Sequence, residues 1–168
     1  MDNNCELSVI IPTYNEVENI TLIVDAIRKV LDSIASYEII IVDDNSKDKT
    51  WELAEQIAIK YINVSCFRRI SAKGLSSAVV DGFMISHGKY LAVIDADLQH
   101  DETIIPTMLE HCRNGANLVV GSRYCKDGST GKWSFFRKSV SRVATRFSQY
   151  VINNDLSDPM SGFFMISK

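Results

Sequence analysis

The sequence lacks long hydrophobic runs and has few cysteines. Its apolar runs stay well below the ~20 residues that a membrane-spanning helix needs. The four cysteines form no CxxC pair and have no histidine at zinc-ligand spacing, so we expect structural thiols rather than a zinc site or disulfides. No repeat, low-complexity tract or linker interrupts the chain, and its 168 residues fit a single domain with a substantial core.

The first residues do not form a secretory signal. Residues 1–12, "MDNNCELSVIIP", are acidic and polar before the first apolar run begins. A hydrophobic content of 46% and a charged content of 23% are typical of soluble globular proteins. We therefore expect a protein of the cytosol or of the cytosolic face of a membrane.

Charge is distributed unevenly along the chain. The net charge is −3, yet residues 121–150 contain four arginines and three lysines against one acid, Asp127, which gives +6 there and −9 elsewhere. This asymmetry predicts a local anionic partner rather than general affinity for nucleic acid. An amphipathic helix predicted at about 136–152 follows three aromatic residues, a pattern found at lipid-headgroup sites and also on ordinary surface helices.

Apolar runs rich in β-branched residues alternate with segments of helical periodicity. In the first such segment, apolar side chains recur at three- and four-residue steps at Ile20, Val24, Ile27, Leu31 and Ile34. The alternation predicts an α/β fold with a mostly parallel sheet covered on both faces. The predicted strands are residues 7–11, 38–43, 63–67, 90–95 and 117–121, and the further predicted helices are 50–60, 74–87 and 102–114.

Polar residues follow four of these strands, in the runs "PTYNE", "VDDNS", "DADLQ" and "GSRY". The carboxyl ends of parallel strands meet at one edge of the sheet, where such folds bind ligands. The four runs therefore predict a binding site at that edge.

The run "DADLQ" predicts a metal site. A spacing of two places Asp95, Asp97 and Gln99 on one side of an extended backbone. Two carboxylates that close together repel each other unless a cation lies between them. Oxygen ligands without histidine or cysteine suit Mg²⁺ or Mn²⁺. Helix capping is the alternative role for acids here, and we assign it to Asp101.

Two other runs leave alternatives open. In "VDDNS" a turn accounts for the composition, although a second adjacent carboxylate could also accept hydrogen bonds from a nucleobase or ribose. The run "RRISAKG" places Arg68, Arg69 and Lys73 ahead of a helix start, which suits a phosphate or a solvated basic turn. It does not match the order of a Walker A loop.

Taken together, the motifs resemble the family 2 glycosyltransferases with a GT-A fold, and most of all the polyprenyl (dolichyl) phosphate mannose synthase group. They are "SVIIPTYNE", "IIIVDDNS", "KGLSSAVVDGF", "VIDADLQH", "VVGSRY", "WSFFRK" and "SDPMSGFF", and they run from about residue 7 to the last residue. The resemblance implies a Rossmann-like nucleotide-diphospho-sugar transferase fold. Its nucleotide-binding part would span about 1–100 and its acceptor-side part about 101–168.

The resemblance also implies an activity and its residues. Mannose would pass from GDP-mannose to a polyprenyl phosphate with inversion, in a reaction that depends on Mg²⁺ or Mn²⁺. The implied metal ligands are Asp95, Asp97 and Gln99, and the implied catalytic residues are Asp97, Arg123 and Arg137. The implied nucleotide-sugar site comprises Pro12, Tyr14, Glu16, Asp44, Lys73, Asp95, Ala96, Asp97, Gln99 and Arg123. The implied acceptor site comprises Arg137, Ser161 and Gly162.

The expected partners are GDP-mannose, the polyprenyl phosphate and a membrane surface. A membrane-anchoring subunit is a further possible partner, and we expect no binding of nucleic acid. A phosphate nucleophile is already anionic and needs no strong base, so we interpret His87, His100 and His111 as surface or capping residues. Family members continue well past "DPMSGFF", and we expect the chain to be C-terminally truncated. The alternatives are a UDP-glucose-dependent relative, a non-catalytic nucleotide-sugar-binding fragment and a phospho-receiver module.

Overall fold

A computed structural model describes residues 5–71, 73–122 and 161–168. Within these residues, six strands form a single sheet with helices packed on both of its faces, which makes three layers. The strands are β1 (Leu7–Thr13), β2 (Tyr37–Asp43), β3 (Val64–Arg68), β4 (Tyr90–Val93), β5 (Leu118–Val120) and β6 (Phe164–Ser167). The α-helices are α1 (Ile20–Leu31), α2 (Thr50–Lys60), α3 (Leu75–Ile85) and α4 (Ile105–Arg113), and a 3₁₀ turn at Glu102–Ile104 leads into α4.

The sheet order is β3-β2-β1-β4-β6-β5. Strands β1 to β4 are parallel, whereas β6 pairs antiparallel with both β4 and β5. The sheet is therefore mostly parallel, as the sequence predicts, with one antiparallel strand inserted. That strand was not predicted, because its four residues carry no periodic pattern and its partner strands lie far away in sequence.

The core lies mainly between the sheet and the helices α1, α2 and α4. The face of α1 that packs there is fully buried and follows the predicted apolar steps, at Ile20, Ile23, Val24, Ile27 and Leu31. Ile34 is instead 41% exposed, because the helix ends at Leu31 and the chain turns away. Helix α3 covers the opposite face, where Ala78 packs with Ile10 and Ile40.

The cysteines in the described residues are free thiols. Burial, and then the nearby charges of Asp43 and Glu55, raise the pKa of Cys66 to about 12. A protonated, half-buried thiol is a poor nucleophile. This agrees with the structural role predicted for the cysteines, and Cys125 lies outside the described residues.

Candidate functional site

The carboxyl ends of β1, β2, β3 and β4 meet at one edge of the sheet. The chain order reverses beside β1, since β2 and β3 lie on one side of it and β4 on the other. Open α/β sheets bind ligands at this switch point. Within the described residues, the non-glycine residues with positive φ all lie in loops at this edge, at Asn15, Asn45, Lys49 and Leu98. Because that conformation is unfavourable for L-residues, backbone strain is concentrated at the candidate site.

Asp43 joins the loops that follow β1 and β2. Its carboxylate is fully buried and accepts hydrogen bonds from Thr13 Oγ1 at 2.9 Å, Ser46 N at 2.9 Å and Ser46 Oγ at 2.6 Å. The Ser46 hydroxyl in turn accepts a bond from Asn15 N at 2.9 Å. A buried carboxylate satisfied in this way fixes the two loops relative to each other.

Asp44 is placed at the predicted edge, but protein donors engage both of its oxygens. Arg69 Nη1 lies 2.6 Å from Oδ1, and Gly74 N donates to Oδ2 at 2.7 Å. The Arg69 side chain is 2% exposed, and it also contacts Ser77 Oγ at 2.6 Å and Asp81 Oδ2 at 2.8 Å. The suggestion that Arg69 faces a phosphate is therefore wrong, because the guanidinium is buried in an ion-paired network.

The other two cations of this segment lie elsewhere. The Arg68 guanidinium carbon lies 3.5 Å from the centroid of the Trp51 ring, and the group donates to Asn45 Oδ1 at 2.9 and 2.5 Å. Lys73 Nζ lies 5.6 Å from the centroid of the Tyr14 ring, which is 47% exposed. The structure thus places Lys73 next to Tyr14, and both are residues that we predicted in the nucleotide site.

Three further residues predicted in the nucleotide-sugar site are Pro12, Glu16 and Ala96. Pro12 lies buried in β1, and Ala96 is 2% exposed. Glu16 N donates to Thr50 Oγ1 at 2.9 Å, and its carboxylate accepts a bond from Asn19 Nδ2 at 2.7 Å. These contacts position the β1–α1 loop beside α2.

The backbone of "DADLQ" differs from the extended strand that we predicted. Strand β4 ends at Val93, residues 96–98 form a turn, and Leu98 has a φ of 58°. Asp97 Oδ1 accepts a hydrogen bond from Gln99 N at 3.1 Å, which closes the turn. The alternation of polar residues here reflects a turn closed by an aspartate. Asp97 and Gln99 are exposed, and Asp95 is partly buried.

His100 does not lie on the surface as we interpreted it. Its side chain is 8% exposed, its Nε2 lies 3.4 Å from Asp95 Oδ2, and its ring centroid lies 5.4 Å from that of Phe163. Gly162 passes directly against the same Asp95 carboxylate, so that a Cβ there would collide with Oδ2. Ser161 Oγ donates to Gly121 O at 2.8 Å. The structure therefore brings Ser161 and Gly162, predicted on the acceptor side, next to a predicted metal ligand.

The donor set at Asp95, Asp97 and Gln99 fits a hard divalent cation. All three side chains offer oxygen atoms; Asp97 lies on an exposed turn beside the switch point, and the partly buried Asp95 directly precedes that turn. In the described parts of the chain, no three histidine, cysteine, aspartate or glutamate side chains lie together as a metal cluster. An ion here would complete its shell with water and phosphate oxygens, as Mg²⁺ commonly does.

Two predicted site residues, Arg123 and Arg137, lie outside the described residues, as does the basic segment around them.

Asp101 accepts hydrogen bonds from Thr103 N at 3.0 Å and Thr103 Oγ1 at 2.5 Å, as expected of a cap. In the described parts of the chain, no helix is both long and apolar enough to cross a bilayer.

Comparison with known proteins identifies the family. The sequence profile of Glycosyl transferase family 2 matches residues 8–168. The chain belongs to glycosyl transferase family 2. The family resemblance seen in the motifs is thereby confirmed.

Several curated relatives within the family are named dolichol-phosphate mannosyltransferase. The protein from Pyrococcus furiosus is 44% identical over 97% of this chain and 46% of its own length. The Mycosarcoma maydis protein is 37% identical over 96% of this chain and 56% of its own length. The Saccharomyces cerevisiae protein is 36% identical over 97% and 61%. The chain thus spans about half of the length of these relatives.

Two solved structures share the fold of this chain. Glucosyl-3-phosphoglycerate synthase from Mycobacterium tuberculosis, in complex with Mn²⁺ and UDP, has a TM-score of 0.72 at 20% identity, covering 97% of this chain and 57% of that one. A mannosyltransferase from Pyrobaculum calidifontis, in complex with GDP-Man and Mn²⁺, has a TM-score of 0.56 at 21% identity, covering 65% and 32%. The α/β fold of GT-A type is confirmed.

Sequence reasoning missed three contributors to this edge, which are Arg69 as a structural cation, His100 and Phe163. Arg69 lies 25 residues from Asp44, and Phe163 lies 63 residues from His100. Pattern along the chain does not reveal such distant pairs. The adjacency of His100 to "DADLQ" was the only local signal.

Proposed function

We propose that this chain forms the donor-binding part, with some of the acceptor side, of a mannosyltransferase that acts on a polyprenyl (dolichyl) phosphate. The donor would be GDP-mannose, and the sugar carbon would be inverted. The observation that carries the proposal is 36–44% identity to dolichol-phosphate mannosyltransferases over nearly the whole chain. The GDP-Man and Mn²⁺ in the Pyrobaculum calidifontis mannosyltransferase support the choice of donor and metal.

We assign the donor to residues of about 1–100 at the switch point. Tyr14 would offer a ring face to the nucleotide, and the Lys73 ammonium beside it would meet the phosphates. Asp95, Asp97 and Gln99 would hold Mg²⁺ or Mn²⁺. When bound, the metal would neutralise the charge that develops on the diphosphate leaving group.

The acceptor side, at about 101–168, would bind the lipid phosphate through Arg123 and Arg137. That phosphate is anionic at neutral pH, so the reaction needs no strong general base. Ser161 and Gly162 would close this side next to Asp95. We expect Arg137→Ala to weaken binding of the acceptor more than binding of the donor, and an equal loss for both would argue against this role.

A polyprenyl phosphate is held in a membrane, so we propose that the chain works at a membrane surface, on its cytosolic face. The net charge of +6 over residues 121–150 suits an anionic lipid surface. A separate membrane-anchoring subunit is compatible with this arrangement.

Two measurements on the 168-residue chain test the proposal. Titration calorimetry with GDP and with UDP, each with and without Mn²⁺, should show tighter, metal-dependent binding of GDP. A radiolabelled transfer assay with dolichyl phosphate should then show mannose on the lipid. Preference for UDP would favour the glucose-transferring relative. GDP binding without transfer would mean that this chain binds nucleotide sugars but is not itself a transferase.

A further inference from the structure

We propose that His100 is a positioning residue that holds the Asp95 carboxylate in one orientation for the donor-bound metal. Residues 161–163, which pass close to the same carboxylate, also restrict its orientation. This inference rests on the proposed function, in which Asp95 is a metal ligand. In this proposal His100 and Phe163 act through the Asp95 carboxylate, which His100 contacts directly.

The first support is the burial and orientation of His100. Its side chain is only 8% exposed, and its Nε2 faces Asp95 Oδ2 at 3.4 Å. An ionised carboxylate can only accept hydrogen bonds, so a hydrogen bond in this contact requires the tautomer with the proton on Nε2. At 3.4 Å this hydrogen bond is long. Steric contact with the fixed ring therefore restricts the Asp95 carboxylate as much as the hydrogen bond does.

The second support is what fixes that ring. It packs against Phe163, which is 1% exposed, with 5.4 Å between the ring centroids and an angle of 50° between the planes. Phe163 is itself held in place, since Gly121 N donates to Phe163 O at 2.8 Å. The imidazole therefore packs against a buried ring whose backbone is hydrogen-bonded in place.

The third support is the close approach of Gly162 to the same carboxylate oxygen, Asp95 Oδ2. An added Cβ at this position would overlap Asp95 Oδ2 and lie 3.0 Å from Cγ. Ser161 Oγ anchors the turn by donating to Gly121 O at 2.8 Å. With His100 and Gly162 both against it, Asp95 Oδ2 has little room to rotate. The end of the described chain thus fixes a ligand that follows β4.

Two substitutions at His100 separate its hydrogen bond from its packing. His100→Phe keeps a ring against Phe163 but cannot donate to Asp95, whereas His100→Gln keeps a donor near the position of Nε2. The exposed His111 on α4 provides the matched controls, His111→Phe and His111→Gln. The affinity of the full 168-residue chain for GDP is measured by calorimetry with and without Mn²⁺, and thermal unfolding checks each fold.

We expect His100→Phe to lower the affinity for GDP in Mn²⁺ by about tenfold, since the partners of metal ligands commonly contribute this much. The metal-free affinity should not change, and His100→Gln should recover most of the loss. If His100→Phe keeps the metal dependence of the wild type, the inference is overturned. It is also overturned if the Phe and Gln variants lose equally.

Failure of the proposed function would look different. In that case, the wild type itself would bind GDP equally well with and without Mn²⁺. The metal assignment of Asp95 would then be wrong, and the positioning role of His100 toward a metal would fall with it. Metal-dependent binding in the wild type together with an unaffected His100→Phe variant would overturn only the inference.

Discussion

Two acidic pairs flank β1 at the same edge of the sheet, and the fold treats them differently. Asp43 and Asp44, after β2, are 0% and 7% exposed, and each of their four carboxylate oxygens accepts a bond from a protein donor. Asp95 and Asp97, after β4, are more exposed. Among the described residues they have only the His100 contact at 3.4 Å and the Gln99 N–H at 3.1 Å.

The number of protein donors to each carboxylate distinguishes a pair that holds loops in place from a pair that we propose as a binding site. A carboxylate oxygen has room for about two hydrogen bonds, so with respect to the described residues the second pair keeps acceptor capacity that the first pair has used. The first pair uses its capacity to hold the neighbouring loops and the start of α3. Two similar sequence motifs therefore have different hydrogen-bonding environments, and the difference comes from distant donors such as Arg69.

Asp44→Ala should have the largest effect, and the effect should be on stability. It leaves the Arg69 guanidinium, 2% exposed, without its closest partner. Loss of one partner of a buried ion pair costs about 3–5 kcal/mol. Urea unfolding measures the loss. Asp81→Ala, which removes a partly exposed contact of the same arginine, should cost only about 1 kcal/mol. A small, equal loss in both variants would show that the first pair is not scaffold.

Asp97→Ala should have the opposite profile. Its exposed side chain makes one bond, to Gln99 N, so the free energy of unfolding should fall by no more than about 1 kcal/mol. The affinity for GDP in Mn²⁺ should fall by roughly 100-fold, the upper end of what even outer partners of metal ligands contribute. Calorimetry with and without the metal measures it.

The control for Asp97 is Asp101→Ala in the same loop. Asp101 caps the 3₁₀ turn through Thr103, so this variant should lose about 1 kcal/mol of stability and keep its metal-dependent binding. If Asp97→Ala bound GDP as tightly as the wild type in Mn²⁺, the second pair would not be a metal site.

The sequence predicted the parts of this comparison that depend on local pattern. The buried face of α1, the four parallel strands and the polar residues at their ends all follow from periodicity and strand direction. The turn at residues 96–98 was missed because an aspartate-closed turn and a strand end can show the same alternation. The partners of Asp44 and Asp95 were missed because they come from other segments of the chain.

Gly162→Ala should disturb Asp95 without altering the first pair. The new methyl group would overlap Asp95 Oδ2 and push the carboxylate out of the orientation in which His100 and Gly162 hold it, while the clash involves side-chain atoms and no backbone. We therefore expect about a tenfold loss of GDP affinity in Mn²⁺ and a small loss of stability. Titration calorimetry and thermal unfolding of the same samples separate the two effects.

Gly115→Ala is the matched control for Gly162→Ala. Gly115 follows α4 with a φ of +99°, and nothing lies within 4 Å of an added Cβ. The substitution should cost about 1 kcal/mol in backbone strain and leave binding unchanged. Equal binding losses in the two glycine variants would mean that the effect of Gly162 is not transmitted through Asp95.

Asp48→Asn should have the smallest effect and tests the scaffold role of the β2–α2 loop. Asp48 accepts bonds from Thr50 N at 3.0 Å, Thr50 Oγ1 at 2.6 Å and Val17 N at 3.1 Å. Burial raises the pKa of Asp48, but these hydrogen bonds outweigh it and hold the pKa below its ordinary value of 3.8. The ionised form is therefore favoured in the folded state, and its contribution is complete above about pH 4.

As the pH falls through the lowered pKa, protonation removes that contribution from the wild type. An asparagine presents one acceptor oxygen at every pH, so Asp48→Asn should be about 1 kcal/mol less stable at pH 7. Its urea midpoints should then converge with those of the wild type as the pH falls below about 4 and through the lowered pKa of Asp48. Asp25→Asn, on the exposed face of α1, is the control and should run parallel to the wild type. If the urea midpoints of Asp48→Asn also ran parallel to those of the wild type, the Asp48 carboxylate would not stabilise the loop. Asp43 and Asp44 would then be the acids after β2 for which a stabilising role remains.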